Sequence, residues 1–347
     1  MWKGSKKDPI ASIEVDINDL DDTMPIEHKD LLPLLYRLQF TRTGQLFELI
    51  DEKLENKHSV QLGNDVYFYY RYQNGRPVLN TCIPPESEEG EHNGYAGRRR
   101  QRHLERDTLF NNDRSILSQR KDPDSYPEIT YVGNMLSRIK VYRGWDLGRN
   151  TAPRLPQSTD LPGDFLLEDA SNLSLVMNDL KNRPLIKPEI NRRLKDFSPT
   201  IDTFETQTIG GTIQIYFHEK GLAHSVPATR LSDGTLRFLC LLSILCHPSP
   251  PPLICVEEPE LGLHPDILPT VAELLIEASK RTQLILSTHS DIIVSALSDY
   301  PETVIVCEKD ENGTLMKRLE ASALKDWLNK YTLGELWQMG EIGGTRW

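Results

Sequence analysis

Two adjacent carboxylates, Glu257 and Glu258, close a short apolar run of Leu253, Ile254, Cys255 and Val256. The run has the length and composition of a strand buried on both faces, as in a parallel sheet. Like charges side by side at the edge of a core raise each other's pKa unless a cation or hydrogen-bond donors compensate them, so the pair predicts a Mg²⁺ site. In that reading Glu257 holds the metal, directly or through water, and Glu258 polarises a water. A second apolar run, Leu284, Ile285 and Leu286, leads into Thr288 and His289, and residues 266–280 between the two runs have helical periodicity. Strand, helix, strand places His289 at the carboxyl edge of an open parallel sheet, where ligands bind, and a His there reaches a phosphate or an attacking water. Upstream, Ser232, Asp233 and Gly234 precede an amphipathic stretch through Cys246. Ser232 is placed as its N-cap, Gly234 lets the backbone approach a ligand closely, and a turn of this kind opening a helix suits an anion.

Four strings therefore stand in order: LSDGTLR (231–237), PLICVEEPE (252–260), LGLHPD (261–266) and STHSD (287–291). LSDGT resembles the ABC signature, ICVEEPE a Walker B strand with its catalytic glutamate, LGLHPD the D-loop and THSD the switch-histidine motif. The set resembles the C-terminal half of ABC-type ATPases of the RecF, SMC and OLD kind, in the stand-alone subgroup grouped as AAA family ATPases. Each string alone recurs by chance: an acidic pair after an apolar strand reads as well as a solvated loop, and a lone His as a satisfied surface residue. Order and spacing together carry the resemblance.

The resemblance implies an α/β, ABC-type P-loop NTPase fold with an antiparallel β lobe and a helical lobe. It implies ATP and Mg²⁺ as cofactors and a dimer, with itself or with an ATPase partner subunit, that sandwiches ATP between two heads. Ser232 and Gly234, with Asp233 between them, would then meet the γ-phosphate in trans. Glu257 would position Mg²⁺, Glu258 would orient the attacking water as general base, and His289 would stabilise the transferring phosphoryl group. Gln119, after the apolar pair Ile116 and Leu117, is the candidate Q-loop glutamine. Two positions depart from the common pattern: Glu257 stands where many Walker B motifs have Asp, and the D-loop carries His264 where an Asp is common. DNA is a candidate ligand, and DNA repair or phage defence the process such a nucleotide-gated switch would serve.

One part of the pattern is not present. The phosphate loop GxxxxGK[ST] occurs nowhere in the 347 residues, and the nearest string, Trp2 to Lys7, has the wrong order and no buried strand before it. Without that loop there is no backbone nest and no Lys for the β and γ phosphates. The expectation is a fold incomplete at the N-terminus by a unit of about 30 residues, left out by a wrong start assignment or an interrupted gene, or supplied by a partner. The tail GEIGGTRW resembles the ending of the subgroup, which predicts a complete C-terminus without a Toprim domain and argues against an OLD-type nuclease. Two rival functions remain open. The chain could be a P-loop-less partner that lends its signature motif and hydrolyses nothing, or a metal-dependent nuclease using Glu257, Glu258 and His289. The nuclease reading leaves the signature motif unexplained.

The elements that must position these residues follow from composition and pattern. A hydrophobic content of 38% is enough to bury a core, and the net charge of −11 argues against non-specific nucleic-acid binding by the whole surface. A local basic patch is compatible with it. No apolar run approaches the roughly 18 residues of a membrane span, and the polar N-terminus is unlike a signal peptide, so the expected location is the cytoplasm, with no membrane. Five cysteines without a CxxC predict buried reduced thiols.

Residues 1–82 alternate as strands, with Tyr67, Tyr69, Tyr70 and Tyr72 before an Asn74-Gly75 turn, and read as a β-rich part of the first ATPase lobe. Residues 83–127, with ESEEGEHNG followed by Arg98, Arg99, Arg100, Arg102 and Arg106, read as a charged flexible insertion. Residues 128–200 form the expected helical lobe, with helices at 172–180 and 188–197, and Arg154 is a surface residue or a phosphate contact. Residues 201–347 form the C-terminal ATPase lobe. There, strands at 203–208 and 212–217 lead into the signature, and a short helix at 291–297, a buried strand at 303–307 and a helix at 324–337 follow the switch.

Overall fold

Alternating apolar residues in the N-terminal third build a single antiparallel meander. In the computed structural model, which describes residues 10–18, 33–43, 46–58, 66–73, 76–82, 102–106, 113–311 and 313–344, the chain divides into two units, Met1–Ser137 and Arg138–Trp347. The first holds β1 (Ala11–Ile17), β2 (Leu34–Thr43), β3 (Leu46–Asn56), β4 (Phe68–Gln73), β5 (Arg76–Cys82) and β6 (Arg102–Arg106), paired in sequence order. One face of the sheet buries Leu34, Tyr36, Leu54, Tyr70 and Leu79. Ile116 of α1 (Ile116–Gln119) and Ile129 and Val132 of α2 (Pro127–Ser137) complete that core. Beneath the sheet the fully buried Glu52 accepts hydrogen bonds from the Tyr36 hydroxyl (2.7 Å), the Ser115 hydroxyl (2.5 Å) and the Ile116 amide (3.0 Å). Burial pushes its pKa up, against the pull of those donors.

Three sequence expectations meet this unit. Within residues 1–82, where alternation predicts strands, lie β1 to β5. Inside 83–127, where charge patterning predicts a flexible insertion, 102–106 pair with β5 as a strand and 116–119 form a helix. The Asn74-Gly75 turn, the acidic block and the run Arg98 to Arg100 lie outside the described residues, as do 1–9 and 345–347.

The second unit is a layered α/β body. A parallel sheet of β7 (Lys140–Tyr142), β12 (Leu253–Glu257) and β13 (Gln283–Ser287) has β12 in the middle. An antiparallel sheet holds β8 (Gln157–Ser158), β9 (Ile201–Ile209), β10 (Thr212–Glu219) and β11 (Val226–Pro227). The helices are α3 (Leu173–Lys181), α4 (Ile186–Phe197), α5 (Asp233–Leu245) and α6 (Leu268–Ala278). Helix α5 is the centre of the core, with every residue from Phe238 to Leu245 buried. Ile254 and Val256 of β12, Val176 and Leu180 of α3 and Val271 and Leu275 of α6 join it in one cluster. Arg193 of α4, 6% exposed at its side chain, pairs with Glu189 and reaches Glu273 (2.8 Å) and Glu277 (3.4 Å) on α6, tying the helical layer to the helix after the D-loop string.

The rest of the second unit is α7 (Asp291–Ser295), the hairpin β14 (Ile305–Lys309) and β15 (Thr314–Arg318), α8 (Ala321–Leu328) and α9 (Leu333–Gln338). Four expectations are corrected here. Strand β12 is buried on one face only, since Leu253 and Cys255 on the other face are half-buried. The strand expected at 303–307 forms two residues later as β14 and is exposed, so Cys307 is exposed too, and of the described cysteines Cys240 and Cys246 are the buried ones. The helix expected over 324–337 is two, because Thr332 and Glu335 form a capping box that starts α9 afresh. Asp266 begins no long helix: a short 3-10 turn, Pro265–Ile267, precedes α6. Among the described residues no helix is long and apolar enough to cross a membrane.

Candidate functional site

Strand β12 ends at Glu257, in register with Ser287 at the end of β13, so both parallel strands deliver their following residues to one edge. The next residue, Glu258, has φ 46, one of two non-glycine residues in the left-handed region among those described. For a residue with a Cβ that conformation costs about 1 kcal/mol or more, and it persists where surrounding structure enforces it. Here the Glu258 amide donates to the Ser287 carbonyl (2.9 Å) while the side chain brings Oε1 to 3.4 Å from Nε2 of His289. The His289 ring is 82% exposed and the Glu258 side chain 31%, so both face solvent at the sheet edge.

Glu257 is exposed beside them. Among the described residues no three His, Cys, Asp or Glu side chains cluster as a metal cage. A single carboxylate at an open edge fits Mg²⁺ in the way that ion is commonly held, by one or two carboxylates, several waters and substrate phosphates.

The chain past Glu258 makes a tight turn. Leu261 and Leu263 amides donate to the Glu258 and Glu260 carbonyls, each at 3.1 Å, and Gly262 takes φ 69. His264 then caps the 3-10 turn, its Nδ1 accepting from the Asp266 amide at 3.3 Å. From within this turn Glu260 reaches back to the switch segment: its Oε1 accepts from the Thr288 hydroxyl (2.8 Å) and from the His289 amide (2.7 Å).

The signature string folds as its residues dictate. Ser232 is the N-cap of α5, its hydroxyl oxygen accepting from the Thr235 amide at 3.0 Å. Gly234 lies in the first turn, where a Cβ would come within 3.0 Å of the Gly262 carbonyl oxygen, so signature and D-loop strings of one chain touch at two glycines. Arg154, buried at 6% exposure, donates to the Leu231 carbonyl and the Asp233 carboxylate, and also to the Leu147 carbonyl at 2.9 Å. It is therefore neither a surface residue nor free to face a phosphate. Arg237, one turn into α5, lies over the Trp145 ring at 5.6 Å, and burial lowers its pKa.

Of the expected site residues, Glu257, Glu258 and His289 come together at one edge, and Ser232, Asp233 and Gly234 form one loop braced against Gly262. Gln119 ends α1 in the other unit, with Nε2 donating to the Arg114 carbonyl at 2.7 Å. Sequence reading missed Arg154 and Glu260 as organisers of these loops. Arg154 was in view only as a surface residue or phosphate contact, while Glu260 stood inside EEPE as a third acid with no assigned partner.

Residues 40–295 match the family described as "AAA domain, putative AbiEii toxin, Type IV TA system". The Old nuclease of Escherichia phage P2 is 27% identical over 225 residues, 59% of this chain and 36% of that protein, so the chain spans little more than a third of this curated relative's length. Among solved structures, an SMC head bound to the C-winged helix domain of ScpA is 12% identical with a TM-score of 0.41, covering 84% of this chain and 76% of that one. The SMC head domain from Thermotoga maritima is also 12% identical, with a TM-score of 0.32, covering 84% and 77%.

Proposed function

We propose that this chain, which belongs to the AAA domain family matched over residues 40–295 and has the mixed α/β architecture of an ABC-type P-loop NTPase, works as an ATP-binding and hydrolysing head that dimerises around nucleotide. The observation that carries the proposal is the left-handed Glu258 with its carboxylate 3.4 Å from His289, at the carboxyl edge of the β12–β13 pair. In this reading Glu258 orients the attacking water and His289 stabilises the charge developing on the transferred phosphoryl group. Glu257 would hold Mg²⁺, whose charge offsets that of the phosphates. Ser232, Asp233 and Gly234, at the start of α5, offer backbone N–H groups to the γ-phosphate of a nucleotide seated on the opposite subunit. Gln119 is the proposed sensor of metal and γ-phosphate. The dimer is a homodimer or a pair with a related ATPase subunit, acting in the cytoplasm, with DNA as the candidate ligand in repair or phage defence.

A second reading rests on the signature loop alone, which Arg154 and Gly262 brace within this chain: the chain lends that loop to an ATPase partner subunit and hydrolyses nothing itself. Glu258→Gln separates the two. With ATP and Mg²⁺, light scattering should show a stable dimer of the variant that retains ATP, while hydrolysis falls by about 10² or more for loss of a general base. If the wild-type chain neither binds ATP nor dimerises with it, the lending role replaces hydrolysis. DNA cleavage that needs Mg²⁺ but no nucleotide, and that Glu258→Gln abolishes, would overturn both in favour of a nuclease, the activity named for the phage P2 relative.

A further inference from the structure

We infer that Glu260 is the positioning residue of this site: it fixes the switch backbone so that His289 stands opposite Glu258. Its catalytic meaning rests on the ATPase reading, but its geometry does not.

Past the Glu257–Ser287 register pair the chain leaves the sheet, and ladder hydrogen bonds no longer hold it. The His289 ring is too exposed for packing to orient it. What holds this segment is one carboxylate oxygen, Glu260 Oε1, which takes the Thr288 hydroxyl at 2.8 Å and the His289 amide at 2.7 Å. Thr288 passes the constraint on, its Oγ1 accepting from the Ser290 amide at 3.0 Å, and Ser290 caps α7. Three consecutive residues of the switch thus depend on a side chain borne by the turn that also carries Glu258 and Gly262.

The other oxygen, Glu260 Oε2, is buried and has no hydrogen-bond partner among the described residues. A buried acceptor left unpaired costs stability, so this carboxylate is a poor choice for holding the fold together. It is a good choice for holding two donors, because an ionised acceptor makes shorter and stronger bonds than a neutral one. The same turn places Gly262 against Gly234, so Glu260 joins the D-loop string, which touches the signature loop, to the histidine at the reacting edge.

The test uses the full chain and the variants Glu260→Ala, Glu260→Gln and Thr288→Val. Hydrogen exchange at the His289 amide should quicken by about tenfold in Glu260→Ala, the effect of one lost charge-assisted bond. Glu260→Gln, which keeps an acceptor oxygen in place, should restore most of the protection. Thr288→Val, which removes one donor and leaves the bond to the His289 amide, should fall between. In ATP hydrolysis Glu260→Ala should lower kcat with little change in KM, and Glu260→Gln should recover part of it. Unchanged His289 exchange in Glu260→Ala, or a Glu260→Gln variant as unprotected as the alanine one, overturns the inference. Should Glu260→Ala fail to fold, exchange in the other two variants decides it. Exchange that follows the expected order in a protein without ATPase activity would sink the ATPase reading and leave the positioning role standing.

Discussion

The guanidinium of Arg154 donates to the Leu231 carbonyl and to the Asp233 carboxylate, so the residues on either side of the Ser232 cap are held by one buried cation. The loop around Ser232 is thereby set by the chain's own residues. Asp233 is 72% exposed at its side chain, which makes the ion pair itself a small contributor, screened by water. The larger share lies in the carbonyls of Leu231 and Leu147, which would be left without their donor.

Arg154→Met should therefore destabilise the second unit by about 2 kcal/mol, the middle of the range for leaving buried acceptors without their donor. Arg154→Lys, which cannot span several acceptors at once, should recover less than half of that. Thermal melts followed by circular dichroism check both, and a melting temperature unchanged in Arg154→Met would show that the loop is held by other means.

Gly234→Ala tests the contact between the signature and D-loop strings. In the first turn of a helix Ala is favoured over Gly by about 1 kcal/mol, whereas forcing a Cβ against backbone costs about 1 to 3 kcal/mol. The Cβ would stand 3.0 Å from the Gly262 carbonyl oxygen, so that oxygen must give by a few tenths of an ångström. The net change should therefore lie between about zero and about 2 kcal/mol of destabilisation. Dimerisation with ATP, read by light scattering, should weaken well beyond that, because the displaced oxygen belongs to the turn bearing Glu258 and Glu260.

What could be read from the sequence was what adjacent residues decide. Ser232 as N-cap, α5 running to Cys246 and the apolar cores of β12 and β13 all follow from local chemistry, and all are found. Partnerships across distance were illegible: Arg154 lies 77 residues from Leu231, and Glu260 lies 28 from Thr288. Burial of a strand's second face was equally unreadable, since Cys255 and Ile285 face whatever packs upon them, and here Ile285 is 52% exposed. The break between α8 and α9 was readable and missed: Thr332-Leu333-Gly334-Glu335 is a capping-box string inside an otherwise helical pattern.

His247 should make the second unit acid-sensitive. Its ring is buried edge-on against Phe165 at 5.2 Å, Nδ1 accepts from the Ser249 amide at 3.2 Å, and burial holds its pKa below the usual 6.5. The folded state thus binds the proton less readily than the unfolded one. This stabilisation is fully present above pH 6.5 and is lost as the pH falls through the folded pKa. Urea melts between about pH 8 and about pH 5 should show the wild type losing stability that His247→Phe keeps. Parallel pH profiles of the two proteins would refute this.

Glu52 should work in the opposite direction in the first unit. Burial beneath the sheet raises its pKa above the usual 4.5, even though Ser115, Ile116 and Tyr36 all donate to it. Burial also raises the pKa of Tyr36, which keeps that phenol a donor throughout. The folded state therefore favours the protonated carboxyl. Its contribution is fully present below pH 4.5 and is lost as the pH rises through the folded pKa. Glu52→Gln is neutral at every pH and still offers one oxygen to the Ile116 amide, so it should match the wild type in acid and gain on it as the pH rises. Hydrogen exchange at the Ile116 amide reads this locally, because that amide opens α1 and α1 ends at Gln119. If the variant and the wild type protect Ile116 equally from acid to neutral pH, the carboxyl is not the titrating anchor of α1. If protection falls with rising pH in the wild type alone, the candidate sensor glutamine sits on a helix whose footing weakens as Glu52 ionises.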